Sequence, residues 1–130
     1  MPKELISVKM LKEHGKMLKL LNNFMKNKKD AFESLKDMQE KHAFAEEKAI
    51  FIFYQNKKDF KLLYTILSQH EQLKEYMAQM QTNKEAAKNF EKLIKEHIKL
   101  EDSKFYPMLD RDLTPEQQKK MMEQFDVLIG

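Results

Sequence analysis

The sequence predicts an all-α protein: an antiparallel up-down-up-down four-helix bundle with a short C-terminal fifth helix. Three observations lead there. Strong helix formers (Lys, Glu, Leu, Met) dominate, with only 2 Gly and 3 Pro in 130 residues. Apolar residues recur at spacings of three and four through four successive stretches of about 20 residues. Short polar connections separate those stretches, and short connections join antiparallel neighbours. One domain over 1–130 is expected, with the bundle over about 7–107 and the last helix over about 114–128.

The first helix is predicted from Ser7, as N-cap, to about Asn27. Its inward stripe reads Leu11, His14, Leu18, Leu21 and Met25. Gly15 costs this helix roughly 1 kcal/mol relative to Ala, and its bare backbone could admit a neighbouring helix. After the polar connection Asn27-Lys28-Lys29-Asp30, Asp30 with Glu33 resembles a capping box. The second helix is expected to reach about Tyr54, with Phe32, Leu35, Met38, His42, Ala45 or Glu46, Ala49 and Phe53 inward. Gln55 to Lys58 reads as a turn.

The third helix starts near Lys58 or Asp59 and runs to about Gln81. Leu63, Ile66 or Leu67, His70, Leu73, Met77 and Met80 face inward. Asn83 caps a fourth helix that runs from Lys84 to about Tyr106, where Pro107 stops it. A linker, Met108–Leu113, follows. Thr114-Pro115-Glu116-Gln117 then carries an N-cap Thr, a Pro at the first helical position and a Gln that closes a capping box. That last helix, with Met121, Met122, Phe125, Leu128 and Ile129, is expected to pack on the bundle without building the site.

Composition excludes several function classes. Without cysteine there are no disulfides, thiolate metal sites, iron–sulfur ligands or thiol nucleophiles. That fits a reducing compartment, and a cytoplasmic protein is expected. The N-terminus carries an acid and lacks a signal peptide's apolar run. The longest apolar run, Ala49–Tyr54, is too short to span a bilayer, so no membrane partner is expected. The net charge is only +3, and lysines intermingle with acids rather than forming a one-signed stripe, which argues against a nucleic-acid partner. The 10 methionines read as core filler, and no Ser–His–Asp set or phosphate-cradling Gly-rich loop is legible.

The histidines carry the chemistry. Each of the four long helices places one histidine on its inward stripe: His14, His42, His70 and His97. Two are followed four residues later by a carboxylate, Glu46 and Glu101, on the same helix face. Burying such groups without partners is expensive. A single histidine on an apolar face is more often a satisfied core residue, and one His-x-x-x-Glu is weak evidence. Depth strengthens the case. Counted from the expected turns, all four histidines lie about 13 to 15 residues away, and at about 1.5 Å per residue that is one height. The glutamates fall within about two helical turns of it.

Four neutral imidazoles and two carboxylates suit a divalent transition-metal site. Two metals, each with two histidines and both glutamates shared between them, divide the set evenly. A closed structural zinc site does not need six ligands, whereas carboxylates inside a helix bundle can hold two irons or manganeses.

His14, His42-x-x-x-Glu46, His70 and His97-x-x-x-Glu101, with the ending Glu101-Asp102-Ser103-Lys104-Phe105-Tyr106-Pro107, resemble the hemerythrin-like family, the HHE cation-binding domain. The likeness runs from about Leu5 to Leu128. It implies a non-haem di-iron centre, oxo- or hydroxo-bridged, with manganese or zinc as substitutes. His14, His42, Glu46, His70, His97 and Glu101 are then the metal ligands. The family's roles include oxygen carriage and sensing, iron sensing, repair of iron centres under nitrosative stress, and reaction with peroxide.

The chain departs from the oxygen carriers, which have a fifth histidine in a His-x-x-x-His pair on the third helix. Here Lys74 lies four after His70 and Ile66 four before it. The carriers also use an Asp five after the last histidine. This chain offers Glu101 at four and Asp102 at five, and Glu101 is preferred because spacing four keeps it nearer the face of His97. One fewer histidine favours redox reactivity or sensing over reversible oxygen carriage.

The expected partner is therefore O2, peroxide or nitric oxide, bound or turned over by an oxidoreductase in a stress response. The alternative is an iron sensor, storage or iron-centre repair module without redox turnover, although the chain lacks the cysteine-containing region that repair proteins often carry. Tyr54, Tyr64 and Tyr106 are candidate hydrogen-bond donors to the site, with amphipathic packing as the commoner reading. A monomer or homodimer is expected. Ile50-Phe51-Ile52-Phe53 is a candidate dimer patch, with core filling the favoured reading.

Overall fold

The structure, a computed structural model, describes residues 5–27, 30–51 and 60–130. Their regular secondary structure is entirely helical. Helix α1 spans Ile6–Met25, α2 Ala31–Ala45, α3 Phe60–Gln79, α4 Lys84–Leu100, α5 Tyr106–Asp112 and α6 Pro115–Ile129. A π-helical turn, Glu46–Phe51, extends α2, and another, Glu101–Phe105, joins α4 to α5. Helix α1 packs on α2 and α5, α3 on α4, and α6 on α2 with its π turn. No described helix is long and apolar enough to cross a membrane.

Helix α1 starts two residues earlier than expected, with Leu5 rather than Ser7 in the capping position and no side-chain cap. Ser7 lies inside the first turn, where its N–H donates to Asp110 Oδ1 at 3.2 Å. An orphan amide of this helix end is thus satisfied from across the fold rather than locally. The buried stripe is Ile6, Met10, His14, Met17 and Leu21, whereas Leu11 is 59% exposed. Met10 and Met17 replace Leu11 and Leu18 while His14 and Leu21 stay, so the buried face turns by only part of the roughly 100° residue step, which apolar spacing could not resolve because either set is apolar. A Cβ added at Gly15 meets nothing within 4 Å, so no helix approaches its backbone.

Asp30 adopts φ 64° and makes no side-chain capping bond, so the Asp30–Glu33 box does not form. A capping side chain reaches the N2 or N3 amide from extended backbone, which Asp30 does not adopt. On α2, Gln39 is buried while Phe32 and Met38 are half-buried. Phe53, Tyr54, the turn at Gln55–Lys58 and the expected helix start at Lys58 or Asp59 lie outside the described residues. Ile50 and Phe51 are buried in the core, so that part of the suspected dimer patch is core filling. Helix α3 buries Leu63, Ile66, His70, Leu73 and Met77 as expected and ends at Gln79 rather than Gln81, with Met80 buried just past its end.

Asn83 caps α4, its side chain accepting from Glu85 N at 3.0 Å and Ala86 N at 3.2 Å. Pro107 does not stop this helix. The π turn closes with the Tyr106 N–H donating to the Glu101 carbonyl. Pro107 then falls in the first turn of α5, where its missing N–H costs nothing. Residues 108–112, expected as linker, are helical as a result. The Thr114–Gln117 capping box is formed in both directions, at 3.1 and 2.9 Å.

Two apolar clusters fill the interior. One contains Ile6 and Met10 of α1, Ala45 of α2, Leu63 and Ile66 of α3, Phe105 and Leu109. The other contains Met17 and Leu21, Leu35, Leu73 and Met77, Phe90 and Ile94. On α1, α2 and α3 the histidine lies at the change from one cluster to the other; on α4 the change comes just after His97, between Ile98 of the second cluster and Leu100 and Phe105 at the first.

Candidate metal centre

Four helices each bring one imidazole to the boundary between the clusters, and the two π turns bring one carboxylate each. All six residues are at most 6% exposed, with Glu46 and Glu101 fully buried. They form two overlapping groups. His14, His42, Glu46 and Glu101 have ligand atoms within 4.8 Å of one another, as do His70, His97, Glu46 and Glu101. Both glutamates belong to both groups. Each is the first residue of its π turn, a local widening of the helix that is frequent at functional sites.

The inward contacts are close but misaligned. Glu101 Oε1 lies 3.1 Å from His14 Nε2 and 3.3 Å from His97 Nε2. Glu46 Oε1 lies 2.9 Å from His70 Nε2, and Glu46 Oε2 is 3.5 Å from His42 Nε2. Yet His14 Nε2, His42 Nε2, His70 Nε2, Glu46 Oε1 and both oxygens of Glu101 are buried without a hydrogen-bond partner. These atoms crowd together without being aligned for hydrogen bonds to one another. A native interior rarely leaves so many polar atoms unmatched, and a bound ion is one of the few explanations. The donor set fits a metal.

Outward contacts orient the rings. His14 Nδ1 meets Asp102 Oδ1 at 2.8 Å, His70 Nδ1 meets Glu47 Oε2 at 3.0 Å, and His97 Nδ1 meets Gln69 Oε1 at 2.8 Å. Such partners hold Nε2 inward and make it a better ligand. Asp102, the other candidate for the shared carboxylate, lies on the far side of His14 from Glu101. Tyr106 donates its hydroxyl to Glu46 Oε2. Tyr64 is 64% exposed and takes no part, and Tyr54 lies outside the described residues.

The electrostatics follow from these contacts. Burial pushes His14 down, but Asp102 and Glu101 overcome it and raise the imidazole from 6.5 to about 10. Burial likewise opposes His70, which Glu46 and Glu47 raise to about 10. Burial pushes Glu46 up, but His42 and His70 hold it well below the usual carboxylate range.

Residues 5–109 of the chain match the family model for the hemerythrin HHE cation-binding domain. The chain belongs to that family. No curated protein and no solved structure matches it. Hemerythrin-type domains bind metal ions, and here the buried histidine–glutamate groups are the residues that could hold one.

Several features of this hemerythrin domain escaped sequence reasoning. Glu47 and Gln69 were missed as histidine partners, although each is adjacent in sequence to a candidate ligand. The π turns were missed too, and they had a signal. His97, Glu101, Phe105 and Leu109 are all buried at unbroken spacings of four. On a regular α-helix three such steps drift about 120° off the face, and one wider turn removes the drift. Helix α6 also comes closer than expected: Phe125 packs edge-on against the His42 ring at 5.5 Å.

Proposed function

We propose that the chain is a non-haem di-iron protein of the hemerythrin type that binds or reacts with O2, peroxide or nitric oxide. One observation carries the reading: two four-residue groups share Glu46 and Glu101 and differ only in their histidine pairs. His14 and His42 would then hold one ion and His70 and His97 the other, with Glu46 and Glu101 available to both. Iron at these positions supplies redox chemistry and coordination room for a small diatomic ligand or peroxide. Asp102, Glu47 and Gln69 set the ring orientations, and Tyr106 holds Glu46. A cavity of about 530 Å³ between α2 and α3, lined by Gln39, Phe44, Glu47 and His70 among others, supports access from solvent.

The proposal includes one domain over 1–130 folded as an up-down-up-down bundle. Its support is the alternation of the apolar clusters: α1 and α3 pass from the first to the second along the chain, and α2 and α4, each with the π turn that follows it, pass back. A cytoplasmic location and a monomeric or homodimeric state belong to the same proposal, and fractionation and sedimentation test them.

The deciding experiment purifies the protein from iron-replete cells, counts metals per chain, and records optical spectra before and after O2, peroxide or nitric oxide. Two irons and a spectrum that responds to one of these molecules are expected. Less than one metal per chain overturns the reading. Two irons that exchange slowly without any spectral response favour an iron sensor, storage or iron-centre repair module.

A further inference from the structure

We propose that the two metal positions are unequal, and that the His14–His42 position is the exchangeable one because His42 is held by no hydrogen bond. This rests on the two-metal reading above and concerns how this chain's own residues hold the ions.

Three of the four histidines have an acceptor on Nδ1: Asp102 for His14, Glu47 for His70 and Gln69 for His97. Among the described residues His42 has none, and both its ring nitrogens are buried without a partner. Packing alone fixes its ring, with the His14 ring at 5.2 Å and Phe125 edge-on at 5.5 Å. A partner on the outer nitrogen of a ligating imidazole sets its tautomer, its orientation and its basicity, and losing one typically costs about 10- to 100-fold in metal affinity. The His70–His97 position has both partners. The His14–His42 position has one.

The shared carboxylate leans the same way. Glu46 Oε1 lies 2.9 Å from His70 Nε2, whereas the oxygen nearer His42 is 3.5 Å away and also accepts the Tyr106 hydroxyl. Access does not separate the positions. A cavity of about 180 Å³ lined by Glu13, Asp37, Met38, Lys41, His42 and Ile129 adjoins His42, and the larger cavity adjoins His70. What differs is how firmly the ligands are held.

Titration of the metal-free protein with cobalt(II), followed by calorimetry and visible absorption, tests this without any assay of turnover. Two binding events are expected, with Kd values about 10- to 100-fold apart. His42→Ala removes the weak event and leaves the tight one, and His97→Ala does the reverse. Met38→Glu places a carboxylate one helical turn before His42, on the wall of the smaller cavity. It is expected to tighten the weak event about tenfold and leave the tight one unchanged.

Two events of equal affinity, a tight event lost with His42, or a Met38→Glu protein with unchanged affinities overturns the inference while the metal centre stands. Failure to bind cobalt, or binding indifferent to both alanine variants, overturns the metal centre itself. If circular dichroism shows His42→Ala unfolded, the unmodified protein and Met38→Glu decide the matter.

Discussion

Glu46 and Glu101 stand at equivalent places in two ten-residue repeats, His42–Phe51 and His97–Tyr106. Each follows a histidine by four, begins a π turn and precedes a second acid that orients a histidine of another helix. Their surroundings differ. Glu46 Oε2 accepts the Tyr106 hydroxyl, whereas neither oxygen of Glu101 has a hydrogen-bond partner. The cause is the last residue of each repeat. Tyr106 closes the second and reaches across to Glu46 of the first. Its counterpart Phe51 has no hydroxyl to return, and its ring stacks on His70 at 5.8 Å. One oxygen atom separates a fixed carboxylate from one left to its ligands.

The largest expected effect erases that difference. Tyr106→Phe strips the donor from a buried, charged acceptor, so the metal-free protein should lose about 1.5–3 kcal/mol of stability, measured by urea denaturation. A loss below about 0.5 kcal/mol, under the usual worth of even a neutral hydrogen bond, would mean that the hydroxyl does not hold Glu46.

Next come the second acids. Asp102→Ala should weaken metal binding by about 10- to 100-fold, read from competition with a chelator. Glu47→Ala should weaken it less, because the Glu47 side chain is 41% exposed against 23% for Asp102, and water can replace it more readily. Equal effects would show that exposure does not set the difference.

The two raised histidines offer a subtler test, since they should behave alike. His14 and His70 titrate near 10 in the folded protein against 6.5 for the free side chain. A group with a raised folded pKa adds stability that is fully present below 6.5 and is lost as pH climbs through about 10. Denaturant midpoints of the metal-free protein should therefore fall steadily from pH 6.5 to 10. Replacing either histidine with Gln should reduce the slope, and an unchanged slope in both variants would refute the assignment.

The smallest effect is the control that touches neither repeat. Gly15 sits in mid-helix with open space where a Cβ would go. Gly15→Ala should raise stability by about 1 kcal/mol, seen as a higher melting temperature with metal content unchanged.

Much of the candidate centre is legible in the sequence. Six polar side chains on apolar stripes at one height are a local signal, because helical rise and periodicity depend only on neighbours in sequence. The same reasoning slipped on α1, where two sets of apolar residues offered equivalent stripes and packing chose Met10 and Met17 over Leu11 and Leu18. It failed at Pro107, because it assumed that the helix reaching the proline was regular. The π turn placed Pro107 in a first turn that needs no amide there.

By itself, then, the sequence determined the four long helices and the last one, most of the inward faces and which side chains share a layer, but not the π turns or α5. Tertiary structure alone decided which carboxylate oxygen is clamped, which histidines are oriented and how α1 is capped. The reason is separation. The bonds that settle those matters link residues 28, 60, 88 and 103 positions apart: His97 to Gln69, Tyr106 to Glu46, His14 to Asp102 and Ser7 to Asp110. Periodicity places a residue on a face of its own helix, but only the packed fold brings a particular donor within hydrogen-bond reach of a particular acceptor.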